Sequence, residues 1–213
     1  MMSVVFGLIA LAETVLLVLV LRLPPQWTRT LQALVVGALI WDNAVIALGS
    51  AIGPGAALQA LSVPRYVTHA LLVPLLVLIA AGLTGVADLR PFILVTGLLI
   101  SVGIYADIVT LALEPATYAG TLRYTNAASN GPPIPAIVVI LILIAFGVLL
   151  LKRRRSPWLL TGALTMLIAA ATGIPWLANL GELALAATVC VTAIQASPHR
   201  DLEPLPTNGR GRR

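Results

Sequence analysis

Residues 134–155 read IPAIVVILILIAFGVLLLKRRR. The first eighteen, 134–151, carry no charge, and Lys152-Arg153-Arg154-Arg155 follow without a spacer. A bilayer core of about 30 Å takes about 20 apolar residues of helix to cross. A soluble helix of this length would show a polar face, and this one has none. Basic runs at the end of such a segment stay in the cytoplasm. The stretch therefore predicts a spanning helix whose C-terminal end faces inward.

The remainder of the 213-residue chain has the same character, with 59% hydrophobic and 10% charged residues and a mean hydropathy of +1.01. Soluble domains carry about 25% charged residues, so a soluble globular enzyme, a disordered chain and a coiled coil are all excluded. The expected class is all-α: one polytopic transmembrane domain, 1–197, of seven helices, followed by a basic, disordered tail, 198–213. The spans are read at 3–22, 31–51, 64–84, 91–113, 134–151, 157–177 and 180–197. Breakers mark the joints: Pro24-Pro25, Gly53-Pro54-Gly55, Pro91, Pro132-Pro133 and Pro157. The final pair is joined through Ala178-Asn179, and Ser62 is expected to cap the third helix with Pro64 in its first turn. Ala10-Leu11-Ala12 resembles a cleavage site, but no basic region precedes it, so no cleaved leader is expected. Faint echoes between 21–27 and 152–158 differ in their onward spacing and establish no repeat.

Charge sets the orientation. With the N-terminus outside and the C-terminus cytoplasmic, eleven of thirteen basic residues lie inside, and only Arg65 and Arg123 lie outside. The predicted location is the cell membrane, multi-pass. The tail would skim anionic lipid headgroups at the cytoplasmic face; its five-residue basic end is a poor motif for nucleic acid, and none is expected. The twelve arginines to one lysine, with abundant alanine, hint at a GC-rich bacterial gene. Lys152 is the only lysine and sits at a helix end, so retinal, which needs a lysine in mid-membrane, is not expected. Cys190 is alone, which removes a cysteine-ligated metal and an intrachain disulfide.

Function is sought in polar residues that belong poorly in lipid. A carboxylate at the bilayer centre costs roughly 2.5–3.5 kcal/mol on insertion scales, yet Glu13 and Asp42 fall midway along the first two spans, with Asn43 beside Asp42. Asp107 lies in the outer third of the fourth span and Glu182 at the outer end of the seventh. Arg65 and His69 are i,i+4 on the third and share a face. Gly103, Asp107, Thr110 and Glu114 are expected to form one stripe, with Tyr105 on a neighbouring face. The acids outside or within the membrane number five against two arginines, a net of −3, so some must carry a proton or hold a cation. Each residue also has a quieter explanation. Asp42-Asn43 can glue helices, Arg65 can anchor at the interface, His69 can bond a neighbouring helix, and Glu13 can sit neutral inside the bundle.

Together these residues predict a shared cavity open to the outside, lined by Glu13, Asp42, Asn43, Arg65, His69, Tyr105, Asp107 and Glu182. Three functions fit it. The first is proton- or cation-linked transport of a small solute or ion, in which buried carboxylates bind the cargo and which a homo-oligomer would assist. The second is a membrane-embedded enzyme acting on a lipid or isoprenoid ligand, with an acid–His pair for proton transfer. No G-x-S-x-G or H-E-x-x-H motif occurs in the sequence. The third is a non-catalytic subunit or assembly factor. The connection 114–133, predicted outside, is read as either a lid or a plain connector.

Overall fold

The computed structural model describes residues 2–129 and 131–196. The predicted tail, 198–213, lies outside the described residues. The chain is mostly helical, with α1 Met2–Leu21, α2 Trp27–Ile52, α3 Ala56–Leu72, α4 Leu75–Thr84 and α5 Arg90–Ile104. The last of these continues as a π-helical turn, Tyr105–Val109. Strands β1 (Leu113–Tyr118) and β2 (Thr121–Asn126) follow, then α6 Ile134–Arg154, α7 Trp158–Ala171 and α8 Pro175–Ala196.

Among the described residues, five helical segments are long and apolar enough to cross a bilayer: α1, α2, residues 90–109, α6 and α8. Helices α3 and α4 together make a sixth candidate, bent by 41° at their break, and α7 is a shorter apolar helix of 14 residues. The bend has a local cause. Pro74 has no N–H to give the carbonyl of Ala70, and the helix stops at Leu72 to resume at Leu75. Gly103 of α5 occupies the contact this opens: a Cβ there would stand 3.1 Å from the Ala70 oxygen and 3.2 Å from its Cα.

Two ends are distinguishable. At the basic end, Leu23, Arg29, Leu83, Arg154 and Ala196 surround one small cavity, bringing together the ends of α1, α4, α6 and α8 and the start of α2. At the opposite end the β-hairpin lies over the last turn of α2 and the first turn of α3. Consecutive helices therefore alternate in direction, with α3 and α4 running the same way. The outer surface is apolar, Leu94 being 74% exposed and Leu8, Leu98 and Ile168 similarly bare, as lipid contact requires. Toward the basic end, α4, α6, α7 and α8 pack a dry core of Val77, Ile79, Ala81, Leu143, Leu159 and Ala163, with Phe92 and Phe146 in tilted contact, 5.1 Å between centroids.

Several boundaries differ from expectation. The third helix starts at Ala56, so Ser62 is no cap: its hydroxyl bonds back to the Leu58 carbonyl at 2.8 Å, and Pro64 lies inside the helix. The fourth span ends at Val109 rather than 113, because the chain turns into a strand. This also breaks the expected stripe, since Glu114 stands exposed on β1 opposite Thr125. The link between the final two helices is 172–174, and Ala178-Asn179 lies inside α8. The segment 114–133 holds a hairpin in register from Leu113↔Asn126 to Tyr118↔Thr121. Its two-residue turn, Ala119-Gly120, has φ of 45° and 86°, both in the left-handed region that two-residue hairpin turns favour.

Gly49, in the last turn of α2, admits another backbone, and the one that arrives is the hairpin's. A Cβ on Gly49 would fall 1.8 Å from the carbonyl oxygen of Leu122. Ser50 Oγ donates to the Gly120 carbonyl at 2.7 Å, and the Gly55 N–H donates to the Tyr124 hydroxyl at 3.1 Å. Gly49→Ala should therefore lift the hairpin and cost about 1–3 kcal/mol, the usual cost of overpacking. Thermal unfolding in detergent micelles checks this, and an unchanged midpoint refutes the contact.

Candidate functional site at the hairpin end

Four helical segments each turn a polar face toward one cavity of about 260 Å³. Helix α2 contributes Val35, Ala38, Leu39 and Asp42, spaced by three and four as a single helix face requires. Helix α3 contributes Arg65, Thr68, His69 and Leu72 on the same rule, with Tyr66 beside them. Helix α8 adds Asn179 and Glu182, i and i+3, and the π-turn after α5 adds Asp107. A π-turn inserts an extra residue per turn and often marks a functional position. Here the Thr110 N–H reaches the Tyr105 carbonyl at 3.2 Å, and the carboxylate within that turn is the one facing α3.

The polar groups are connected. Arg65 Nε is in a close charge-assisted hydrogen bond with Asp42 Oδ1. Asp42 Oδ2 accepts from Asn179 Nδ2 at 3.1 Å, and the same amide donates to Asn43 Oδ1 at 3.0 Å. Asn43 Nδ2 donates to both Glu13 oxygens, at 3.0 and 3.1 Å, and lies 3.2 Å from the Leu39 carbonyl. Glu13 and Asn43 are fully buried. They therefore stand behind the cavity wall, joined to it through Asn179. His69 Nδ1 lies 3.6 Å from Asp107 Oδ2, and the histidine side chain is 44% exposed. That is longer than a good hydrogen bond and close enough for charge to be felt.

The hairpin holds the mouth. Arg65 Nη1 reaches the Tyr124 carbonyl at 3.4 Å, and the same carbonyl accepts from the Tyr66 hydroxyl at 3.1 Å. The Asn126 N–H donates to Tyr66 Oη at 3.1 Å. Asn126 also ties the hairpin to the π-turn: its Nδ2 donates to the Ala106 carbonyl at 3.4 Å, and its Oδ1 accepts from the Ala112 N–H at 3.0 Å. Arg65 stacks loosely over Tyr66, 5.9 Å from the ring centre. Arg123, on β2, has a buried Nε without a partner. Burial first, and then the positive charge of Arg65, hold its pKa below the usual arginine range.

Two further spaces adjoin the first and share lining residues with it. One, of about 450 Å³, runs between α3, the π-turn and the proline-rich entry to α6, and includes Tyr105, Asp107, Pro132, Pro133 and Ile134. The other, of about 70 Å³, leads inward and is walled by Leu76, Val139, Ile140, Met166 and Leu185. His69 and Val73 border all three spaces.

Of the residues singled out in the sequence, Asp42, Arg65, His69, Asp107 and Glu182 line one cavity, Glu13 and Asn43 lie behind it, and Tyr105 faces the neighbouring space and is 66% exposed. Asn179, which the sequence suggests as part of a link, joins the cavity to the buried pair, and Tyr66 and the Tyr124 carbonyl are not among the residues the sequence predicts to line it. Among the described residues no group of three or more His, Cys, Asp or Glu side chains could hold a metal ion.

The buried network predicts its own energetics. Asn43→Ala leaves a fully buried carboxyl without the amide that donates to both its oxygens and frees one Asn179 bond, so it should destabilise the fold by about 1–3 kcal/mol. A double-mutant cycle with Glu13→Leu, followed by thermal unfolding, should return a coupling between the two sites; additive losses would mean that the pair does not interact. Compared with protein-family models, with curated proteins and with solved structures, the chain matches none.

Proposed function

We propose that the chain is a seven-span membrane protein, hairpin end outside, that takes the polar head of an amphiphile into the outer cavity and performs acid/base chemistry on it at His69. The observation that carries this reading is the position of His69 where a polar cavity, a wide amphipathic groove and a narrow apolar space meet. A small ion needs no apolar annexes. A lipid-like molecule needs a polar seat and somewhere to lay a chain, and binding sites of this kind are mostly apolar with a few convergent polar groups. Arg65, already opposite Asp42, orients the seat and offers its remaining donors. Asp107 beside Nδ1 orients the imidazole and leaves Nε2 for the ligand.

A second reading, proton- or cation-linked transport, has one observation in its favour. The hydrogen-bonded series Asp42, Asn179, Asn43, Glu13 leads from the cavity to a carboxyl with no exposed surface. The dry core beyond it separates this series from the basic end.

Mass spectrometry of lipids retained through purification separates the readings. The wild-type protein should enrich an amphiphile over a detergent-only control. His69→Ala should keep that amphiphile while slowing its conversion by about 10²–10⁴-fold, the usual range for a proton-transfer group. No enrichment, with proton- or cation-driven flux in liposomes instead, would replace the first reading by the second. Sidedness is tested separately. Cys190 is buried, so Ala119→Cys in the hairpin turn should be the position that reacts with an impermeant maleimide added to intact cells; labelling only after lysis reverses the orientation.

A further inference from the structure

At the basic end, far from the outer cavity in the chain's threading, a second polar site stands on different residues. Its space is about 110 Å³ and is lined by Gln26, Thr28, Arg29 and Gln32 of the α2 entry, Gly82 and Leu83 of α4, and Arg154 of α6. Three features converge there. The first is Gln32, which is 3% exposed and whose amide nitrogen and oxygen both lack a hydrogen-bond partner among the described residues. A buried primary amide left in this state loses its hydration without recompense, and its presence in the wall of a polar space points to a ligand that satisfies it. The second is the N-terminus of α2, a 26-residue helix with no side-chain cap on its first turn. Free N–H groups and the positive end of the helix dipole favour an anion. The third is a pair of guanidinium groups. Arg29 spends one nitrogen on the Leu23 carbonyl at 3.1 Å, and Arg154 extends from α6 to the end of α4, its Nη2 standing 3.5 Å from where a Cβ on Gly85 would be. Among the described residues, no acid lines the space.

We infer that this pocket binds a phosphate group, held by Arg29, Arg154, the first turn of α2 and the Gln32 amide. Its size suits one tetrahedral oxyanion, being the room of about three to four waters. Guanidinium groups match phosphate oxygens in pairs, and Gln32 Nε2 supplies a neutral donor at the dry end. Gln32 Oε1 can only accept, so it needs a hydroxyl or ammonium from the ligand, or the proton of a monoanionic phosphate. Both a phosphodiester headgroup that carries a hydroxyl and free inorganic phosphate meet that requirement. The site is independent of the proposed activity, and its helices α2, α4 and α6 clamp the bundle on the side away from the hairpin.

The test uses the full chain, purified and delipidated in a non-ionic detergent, with thermal unfolding read against ligand concentration. Two probes are titrated separately at constant ionic strength: inorganic phosphate, and phosphatidylglycerol in mixed micelles, with phosphatidylcholine micelles and sodium chloride as controls. A saturable rise in unfolding temperature with either probe supports the site. A rise with inorganic phosphate alone identifies free phosphate as the source, and a rise with phosphatidylglycerol alone identifies the headgroup. Arg29→Gln and Gln32→Met should each weaken the apparent affinity by about tenfold or more, the effect of losing one hydrogen bond to a charged group. Gln32→Met should fold without ligand at least as well as the wild type, since it removes an unpaired amide from an apolar wall. Failure of both probes to exceed the controls overturns the inference, as does an unchanged response in both variants.

Discussion

The contact between Arg65 and Asp42 is the constraint on which the hairpin end depends. Two charges taken out of water lose hydration worth several kcal/mol each, and only close pairing with further hydrogen bonds recovers it. The structure supplies those bonds from three directions. Asn179 of α8 reaches the second Asp42 oxygen, the Tyr124 carbonyl meets the guanidinium, and Tyr66 braces that same carbonyl. Helices α2, α3 and α8 and the hairpin are thereby fixed by one electrostatic requirement. Lipid gives helices little hydrophobic reason to associate, so a satisfied polar cluster that spans several of them specifies the arrangement as well as any apolar contact does.

The hairpin is the second consequence. A strand pair of six residues each is marginal in isolation, and this one is stabilised by what it covers. Its backbone lies against Gly49 where no side chain could intervene, and its carbonyls and amides serve as partners for α2 and α3. Asn126 closes the other side by accepting from and donating to the chain around the π-turn. The same residues that end α5 thus set the position of Asp107 opposite His69. A cavity mouth built this way is a fixed rim, with His69 left as the exposed polar group at the junction of the three spaces.

Much of this was legible in the residues. Apolar runs marked the helices because lipid demands continuous hydrophobicity, and acids in such runs marked the polar cluster because their cost is too high to be incidental. Arg65 and His69 could be placed on one face from spacing alone. The hairpin was not legible in the same way. Its Ala119-Gly120 turn between Thr117-Tyr118 and Thr121-Leu122 is a strand signal, whereas Pro115 counts against a strand only where both edges are paired. Here β1 has a single partner, so Pro115 loses nothing. The apolar letters from Ile108 to Leu113 extended the helix on paper, and nothing local showed that Asn126, distant in sequence, would take over the freed amide of Ala112. Asn179 was similarly hidden, since its importance comes from two carbonyl-bearing side chains on another helix.

The two polar ends impose a choice on any account of what the molecule does. Between them lie Val77, Ile79, Ala81, Leu143 and Leu159, all buried and without a polar atom in their side chains. Moving a charge through that layer in this arrangement would face the full desolvation penalty of a hydrocarbon interior, so conduction requires the helices to separate. The bent pair α3–α4 is already interrupted at Pro74, and it carries Arg65 and His69 on one arm and part of the dry core on the other. A movement of the α3 arm away from α2 would pull Arg65 from Asp42 and leave two part-buried charges unpaired. The proposed chemistry on a bound amphiphile would ask for none of this, because ligand and proton would both enter from the side where the polar groups already stand. The geometry is cheaper to use as a closed-bottomed site than as a path.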